Sequence, residues 1–190
     1  QAEDGIRDSV ASRGLGDVYK RQNKYLELEK QRGDFEVIKT ESTSEVDING
    51  LKFTTRLDRM DLLENNEKII IDYKGGSVSV SKMVGNPIEQ AQLPIYAISN
   101  TVDGVAFAAI NPNDCQFKAI TKNKSALPLK PQTKSKMPEW DIQLMKWQST
   151  LNSASDDFQN GIAKVLPAKN ACKFCDYDLL CRVEKSPNHR

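Results

Sequence analysis

Asp72 and Lys74 stand two residues apart at the end of the apolar run Ile69-Ile70-Ile71. In an extended chain a period of two puts both side chains on one face. Two charges at the end of a buried strand are costly unless they pair or bind an ion. Asp58 closes the preceding alternating stretch, Leu51 to Asp58. If the two segments neighbour each other in a β-meander, Asp58 lies beside Asp72, and two carboxylates converge with one ammonium. Hydrolysis of a phosphodiester needs such a set. Hard oxygen ligands hold Mg²⁺, which takes one or two carboxylates and keeps several waters. The metal polarises the phosphoryl oxygen and acidifies a bound water. A nearby lysine orients or deprotonates that water and offsets developing charge. The plainer alternative is a strand-end ion pair between Asp72 and Lys74. Asp-x-Lys is an ordinary spacing in a chain with 27 basic and 26 acidic residues. Its place at a strand end, next to another strand-end aspartate, is what singles it out.

Other charged residues compete for the same role. Asp61 lies three residues beyond Asp58, so a regular strand puts it on the opposite face. Arg56 and Arg59 either contact phosphate or pair with Asp58 and Asp61. Glu41 ends an earlier strand and is a further acidic candidate.

The elements that must hold these groups read as follows. Residues 8–22 (DSVASRGLGDVYKRQ) show no sustained apolar period and no core face. They resemble the translation of a sequencing adaptor, so residues 1–22 are expected to be a non-native or disordered leader. Tyr25 to Lys30 reads as a charged helix end. Phe35, Val37 and Lys39 alternate with Glu36 and Ile38 as in a half-buried strand. Asn49-Gly50 signals a hairpin. Leu51, Phe53, Thr55 and Leu57 then share one face. Asp61-Leu62-Leu63 leads to the turn Glu64-Asn65-Asn66-Glu67. Lys68 to Lys74 is a strand buried on both faces at its start, closed by Gly75-Gly76. Pro87 is expected to open a helix through Tyr96, with Pro94 kinking it. Gly104 to Ile110 reads as another buried strand, paired with Gln116 to Thr121. Thr121 to Met137 is a loop by composition. Trp140, Leu144, Trp147, Leu151, Ala154, Phe158, Ile162 and Val165 follow a helical stripe that Pro167 stops. This order implies a mixed α/β domain with a central sheet.

Composition narrows the classes. A chain of 190 residues with a net charge of +1 buries one core and is not a uniformly basic nucleic-acid wrapper. The longest apolar run, Val105 to Ile110, is far below the ~20 residues of a membrane helix. A reducing, cytoplasmic setting is the expectation. The near-neutral total hides a local basic segment. Lys118, Lys122, Lys124, Lys130, Lys134 and Lys136 fall between Asp114 and Glu139 with no acid among them. They either contact a phosphate backbone, Lys122 and Lys124 foremost, or form a solvated loop. Trp140 and Trp147 sit on the helical stripe as core rather than as base-stacking platforms. Three of the four cysteines, Cys172, Cys175 and Cys181, form C-x₂-C-x₅-C. That cluster points to a metal rather than to a disulfide scaffold. A fourth ligand is still needed. Zinc completed by Cys115 or His189 and three reduced thiols are the alternatives.

Three stretches together resemble a known family: Gly50-Leu-Lys-Phe-Thr-Thr-Arg-Leu-Asp58-Arg59-Met-Asp61, Ile71-Asp72-Tyr73-Lys74-Gly75-Gly76, and Gln92-Leu-Pro-Ile-Tyr96. They look like the RecB-type branch of the PD-(D/E)XK nucleases, closest to AddB-like, "probable DNA repair" nuclease domains, over roughly residues 24 to 183. The resemblance implies a restriction-endonuclease-like core, a mixed central sheet flanked by helices, over 23–166, and a Cys-rich C-terminal staple and tail over 167–190. It implies that Asp58 and Asp72 hold Mg²⁺ or Mn²⁺ together with the Tyr73 carbonyl, and that Lys74 is the catalytic lysine. Gln92 and Tyr96, at i and i+4 on one helix face, would line the active site. The cysteine triplet would hold a [4Fe–4S] cluster with one upstream cysteine. No cysteine precedes Cys115, so the chain is expected to be an N-terminally truncated piece. DNA would be the substrate, a helicase subunit the partner, and exonuclease-type end processing in double-strand break repair and recombination the activity. The alternative from another class is a non-catalytic, DNA-binding, iron–sulfur-stapled subunit of a repair complex. A restriction-type endonuclease is the runner-up among enzymes.

Overall fold

The computed structural model describes residues 16, 18–111, 115–131, 134, 137–163, 167, 171–177 and 180. Helix α1 spans 18–29. Strands β1 (Phe35–Ile48), β2 (Leu51–Leu63) and β3 (Lys68–Lys74) follow as a meander. A short helix α2 (Ser81–Val84) and α3 (Gln92–Ser99) lead to β4 (Gly104–Ala109) and β5 (Gln116–Thr121). Helix α4 (Trp140–Gln159) comes next, and a 3-10 turn (Ala171–Phe174) carries Cys172. The strands form one sheet in the order β1-β2-β3-β4-β5. All neighbours are antiparallel except β3 and β4. The parallel pair needs a crossover, and α2 and α3 lie in it.

The crossover fixes the layers. Ile69, Ile70 and Ile71 are fully buried because β3 lies mid-sheet with helices on both faces. Lys74 faces α3, whose Gln92 it touches. Tyr73 points to the other face, where it meets Tyr25 of α1. Trp147 of α4 is buried and donates its indole N–H to the Met83 carbonyl at 2.8 Å. It meets Trp140 edge-on, with centroids 6.0 Å apart, which confirms both tryptophans as core.

The β1–β2 ribbon runs well beyond the part paired with β3, which covers only Arg59 to Leu62. Its tip turns through Asn49 (φ 51°) and Gly50 (φ 87°), as the Asn-Gly signal predicts. The tip docks on the end of α4. Ser155 Oγ donates to the Ile48 carbonyl at 2.7 Å and Gln159 Nε2 to the Asn49 carbonyl at 2.8 Å. The Asn49 amide reaches Asp156.

Four local expectations change. The register of β1 slips between Val37 and Lys39, so Val37 is 43% exposed while Ile38 packs on the core. A bulge moves the alternation to the other face, and strict alternation could not foresee it. The helix expected from Pro87 starts only at Gln92, which leaves Pro94 in the first turn, where a missing N–H costs nothing. Helix α4 ends at Gln159 rather than at Pro167. Gly161 has φ 69°, its N–H bonds the Phe158 carbonyl, and the Ile162 N–H bonds that of Asp157. These are the two bonds of a Schellman cap. Finally, Phe158 and Ile162 are exposed, while Gln143 and Ser155 are buried. The buried face of α4 drifts off the apolar stripe toward the ribbon, where the Ser155 hydroxyl is satisfied.

Candidate active site

The β2–β3 ladder runs from Leu62↔Lys68 to Arg59↔Ile71. One step further along the same register, Asp58 comes opposite Asp72. There the regular pairing stops, and the Asp58 carboxylate takes its place by accepting the Tyr73 N–H at 2.9 Å. On the other side β3 continues beside β4, with Asp72 opposite Phe107 and Lys74 opposite Ala109. The last three residues of β3 are therefore held firmly by β4 and reach β2 through a side chain.

Asp72 is 1% exposed. Lys74 Nζ lies 2.8 Å from its Oδ2 as an ion pair, while Oδ1 has no hydrogen-bond partner among the described residues. Burial pushes the Asp72 carboxyl above its ordinary range, the Lys74 ammonium pulls it back, and the Asp58 charge raises it further. Two carboxylates thus face each other with one of them short of donors. A buried carboxylate oxygen without a partner is costly, and a hard divalent cation is a group that would satisfy Oδ1. The donor set fits such an ion. It supplies two carboxylates, and among the described residues no group of three or more His, Cys, Asp or Glu could hold a metal.

Lys74 is held from α3. Its Nζ donates to Gln92 Oε1 at 2.9 Å, Gln92 Nε2 donates to the Tyr96 hydroxyl at 3.1 Å, and that hydroxyl donates to the Arg56 carbonyl. The chain of bonds ties α3 to both strands and fixes the ammonium beside Asp72.

A family model described as the PD-(D/E)XK nuclease superfamily matches residues 8–182. The chain belongs to the PD-(D/E)XK nuclease superfamily. Members usually hydrolyse phosphodiester bonds with metal ions. The matched span includes most of the stretch expected to be a leader. The chain is also similar to the crystal structure of SSO0001, at 19% identity and a TM-score of 0.42, over 90% of this chain and 70% of that one. No curated protein matches it.

The remaining predicted residues of this PD-(D/E)XK domain are scattered. Asp61 is fully buried on the opposite face from Asp58, as its spacing implies. Arg59, expected to contact either phosphate or a carboxylate, takes the second role. It is 9% exposed and grips Asp61 with Nε at 2.6 Å and Nη2 at 2.8 Å, which leaves its guanidinium buried and engaged rather than open to phosphate. Arg56 is exposed and pairs with Glu41. Lys118 belongs to β5 and donates to the Val78 carbonyl at 2.7 Å, whereas Lys122 and Lys124 are exposed. Cys172 is half-buried and Cys175 exposed, both as free thiols. Cys181 and His189 lie outside the described residues.

Sequence reading missed the cluster beneath the site. Tyr25 and Glu29 of α1 and the neighbouring Arg32 converge on Arg59, Asp61 and Tyr73. Arg32 Nη2 lies 2.7 Å from Asp61, and Tyr25 bonds Glu29. The signal was present: Arg59 and Asp61 have the same i, i+2 spacing as Asp72 and Lys74. It points to the other face.

Proposed function

We propose that this chain is a Mg²⁺-dependent deoxyribonuclease domain of the RecB/AddB-like branch, acting as an exonuclease on DNA ends in double-strand break repair and recombination, beside a helicase subunit in the cytoplasm. The observation that carries the chemistry is Asp72: a buried carboxylate with Oδ2 paired to Lys74, Oδ1 without a partner, and the Asp58 charge beside it. The three motif stretches around Asp58, Lys74 and Gln92 support the branch.

Asp58 and Asp72, with the Tyr73 carbonyl, would hold the divalent ion. When bound, that ion supplies Lewis-acid activation of the phosphoryl oxygen and of a water. The protein's own groups do the rest. Lys74, set by Gln92, orients the attacking water and offsets the charge that grows on the phosphate as the P–O bond to the leaving group breaks. Gln92 and Tyr96 keep Lys74 from swinging to solvent. Arg56, Lys122 and Lys124 are the exposed cations proposed to track the DNA backbone.

The test is cleavage of linear duplex DNA by the purified chain with Mg²⁺, against a chelator control. Asp72→Ala and Lys74→Ala are each expected to slow cleavage by about 10²-fold or more. Unchanged rates in both variants overturn the site. Ladders of short oligonucleotides growing from DNA ends support the exonuclease reading, and fixed internal cuts would replace it with the restriction type. Tight DNA binding with no metal-dependent cleavage would favour the non-catalytic reading.

A further inference from the structure

The strand that carries the carboxylate pair is gripped from the opposite face. β3 has no ladder partner on β2 beyond Ile71. Two direct contacts bridge that gap among the described residues, and both converge on Tyr73. On the site face its N–H is held by Asp58 at 2.9 Å. On the far face its phenol accepts a hydrogen bond from Arg59 Nη1 at 3.0 Å and lies 3.4 Å from the Tyr25 hydroxyl. The Tyr25 ring stands edge-on to it, at 5.6 Å and 82°.

The grip is itself rigid. Arg59 binds Asp61 with two nitrogens and reaches Glu29 and Tyr25 with the remaining donors. It lies 5.0 Å above the Phe35 ring. Asp61 is pinned a second time by Arg32. A fork held at so many points has little freedom left to lose, so the phenol it binds is fixed as well. Arg59 also follows Asp58 directly in β2. One short piece of strand therefore holds Tyr73 from both faces: Asp58 takes the main-chain N–H and Arg59 takes the side chain.

We infer that Arg59 and Tyr25 form a positioning clamp which, through the Tyr73 phenol, sets the Tyr73 peptide and hence the spacing of the Asp58 and Asp72 carboxylates for a divalent cation. The inference rests on the metal-site reading above. Arg59 and Tyr25 are positioning residues and touch no reacting atom. Without the clamp, the only direct tie of the unladdered end of β3 to β2 among the described residues is the Asp58 bond, beside the indirect relay from Lys74 through Gln92 and Tyr96 to the Arg56 carbonyl. The carboxylates then lose their fixed separation, and the cation loses affinity before the fold is lost.

The experiment measures Mn²⁺ binding to the full chain without DNA, by electron paramagnetic resonance of the free ion. Tyr73→Phe removes the phenol oxygen and keeps the ring, and Tyr25→Phe does the same one step away. Asp72→Ala reports on the metal site itself. Ile70→Val, in the same buried strand but off the clamp, controls for general loosening. If the clamp sets the site, Tyr73→Phe weakens Mn²⁺ binding by about tenfold or more, Tyr25→Phe by less, and Ile70→Val leaves it within twofold. Wild-type affinity in both tyrosine variants, with binding lost in Asp72→Ala, overturns the clamp and leaves the metal site standing. An equal loss in Ile70→Val also overturns it, since the effect would be unspecific. Binding unaffected by Asp72→Ala, or absent from the wild type, overturns the metal-site reading and the clamp with it. Should Tyr73→Phe fail to fold by near-ultraviolet circular dichroism, Tyr25→Phe decides.

Discussion

Asp72 keeps a carboxylate where ionisation is costly. Burial and the Asp58 charge raise its pKa above the ordinary value of 3.8, against the pull of Lys74. Between the unfolded and the raised folded pKa, the folded chain binds more protons than the unfolded one. Stability from this group is therefore present below pH 3.8 and is lost as pH rises through the folded value. Asp72→Asn is thus expected to raise the melting temperature of chelated protein at neutral pH, and the gain should vanish on acidification below the ordinary carboxylate range. A melting series against pH checks both. The same variant should not cleave DNA. At Gln92 the expected loss is kinetic. Gln92→Ala removes the acceptor that holds Lys74, and a charge-assisted hydrogen bond of this kind corresponds to about a tenfold fall in rate, read with Mg²⁺ saturating. The carboxylate pair and its lysine were legible because a period of two and an apolar run locate a strand end. The Arg59 grip was not, because its partners Tyr25, Glu29 and Arg32 come from a helix and a turn that carry no such period.

The elements are closed by backbone constraints that single residues set. Gly161 ends α4 with φ 69° in open space. Gly161→Ala should therefore cost only the left-handed backbone, about 1 kcal/mol, or a few degrees of melting temperature. Gly104 differs. A Cβ there would stand 2.6 Å from Thr121 Cγ2 and 3.2 Å from the Thr121 Cα, in a strand with every residue buried. Gly104→Ala should therefore cost more than Gly161→Ala. Thr121→Ser should recover part of the loss and no more, since the main-chain contact remains. Thermal unfolding of the two single variants and the double variant checks the ranking and the coupling. The hairpin turn, β3 and the β4–β5 pair follow from alternation and turn residues, and the structure has them where expected. The end of α4 does not follow from apolar period alone. Its last buried position is a serine, held by a hydrogen bond across 107 residues, and hydrophobicity cannot register that.

At the scale of the molecule, the described cations divide into buried and exposed sets. The buried arginines, Arg32 and Arg59, lie under the sheet with Asp61, while Arg56, Lys122 and Lys124 stay exposed. If the exposed set neutralises DNA phosphates, replacing Lys122 and Lys124 with Gln should flatten the salt dependence of DNA binding. The log–log slope should fall by about 0.7 to 0.9 for each phosphate no longer neutralised. The melting temperature should hardly change. An unchanged slope would place the DNA elsewhere on the surface. The docked hairpin has a different consequence. Residues 58 to 96 supply every group of the carboxylate and lysine site, but the ribbon that carries Asp58 is latched at its tip by Ser155 and Gln159. During synthesis the residues proposed to be catalytic emerge from the ribosome long before that latch exists. A nascent chain stalled short of α4 would carry all of the proposed site on a hairpin without its latch, and the latch would arrive only with the final turns of α4.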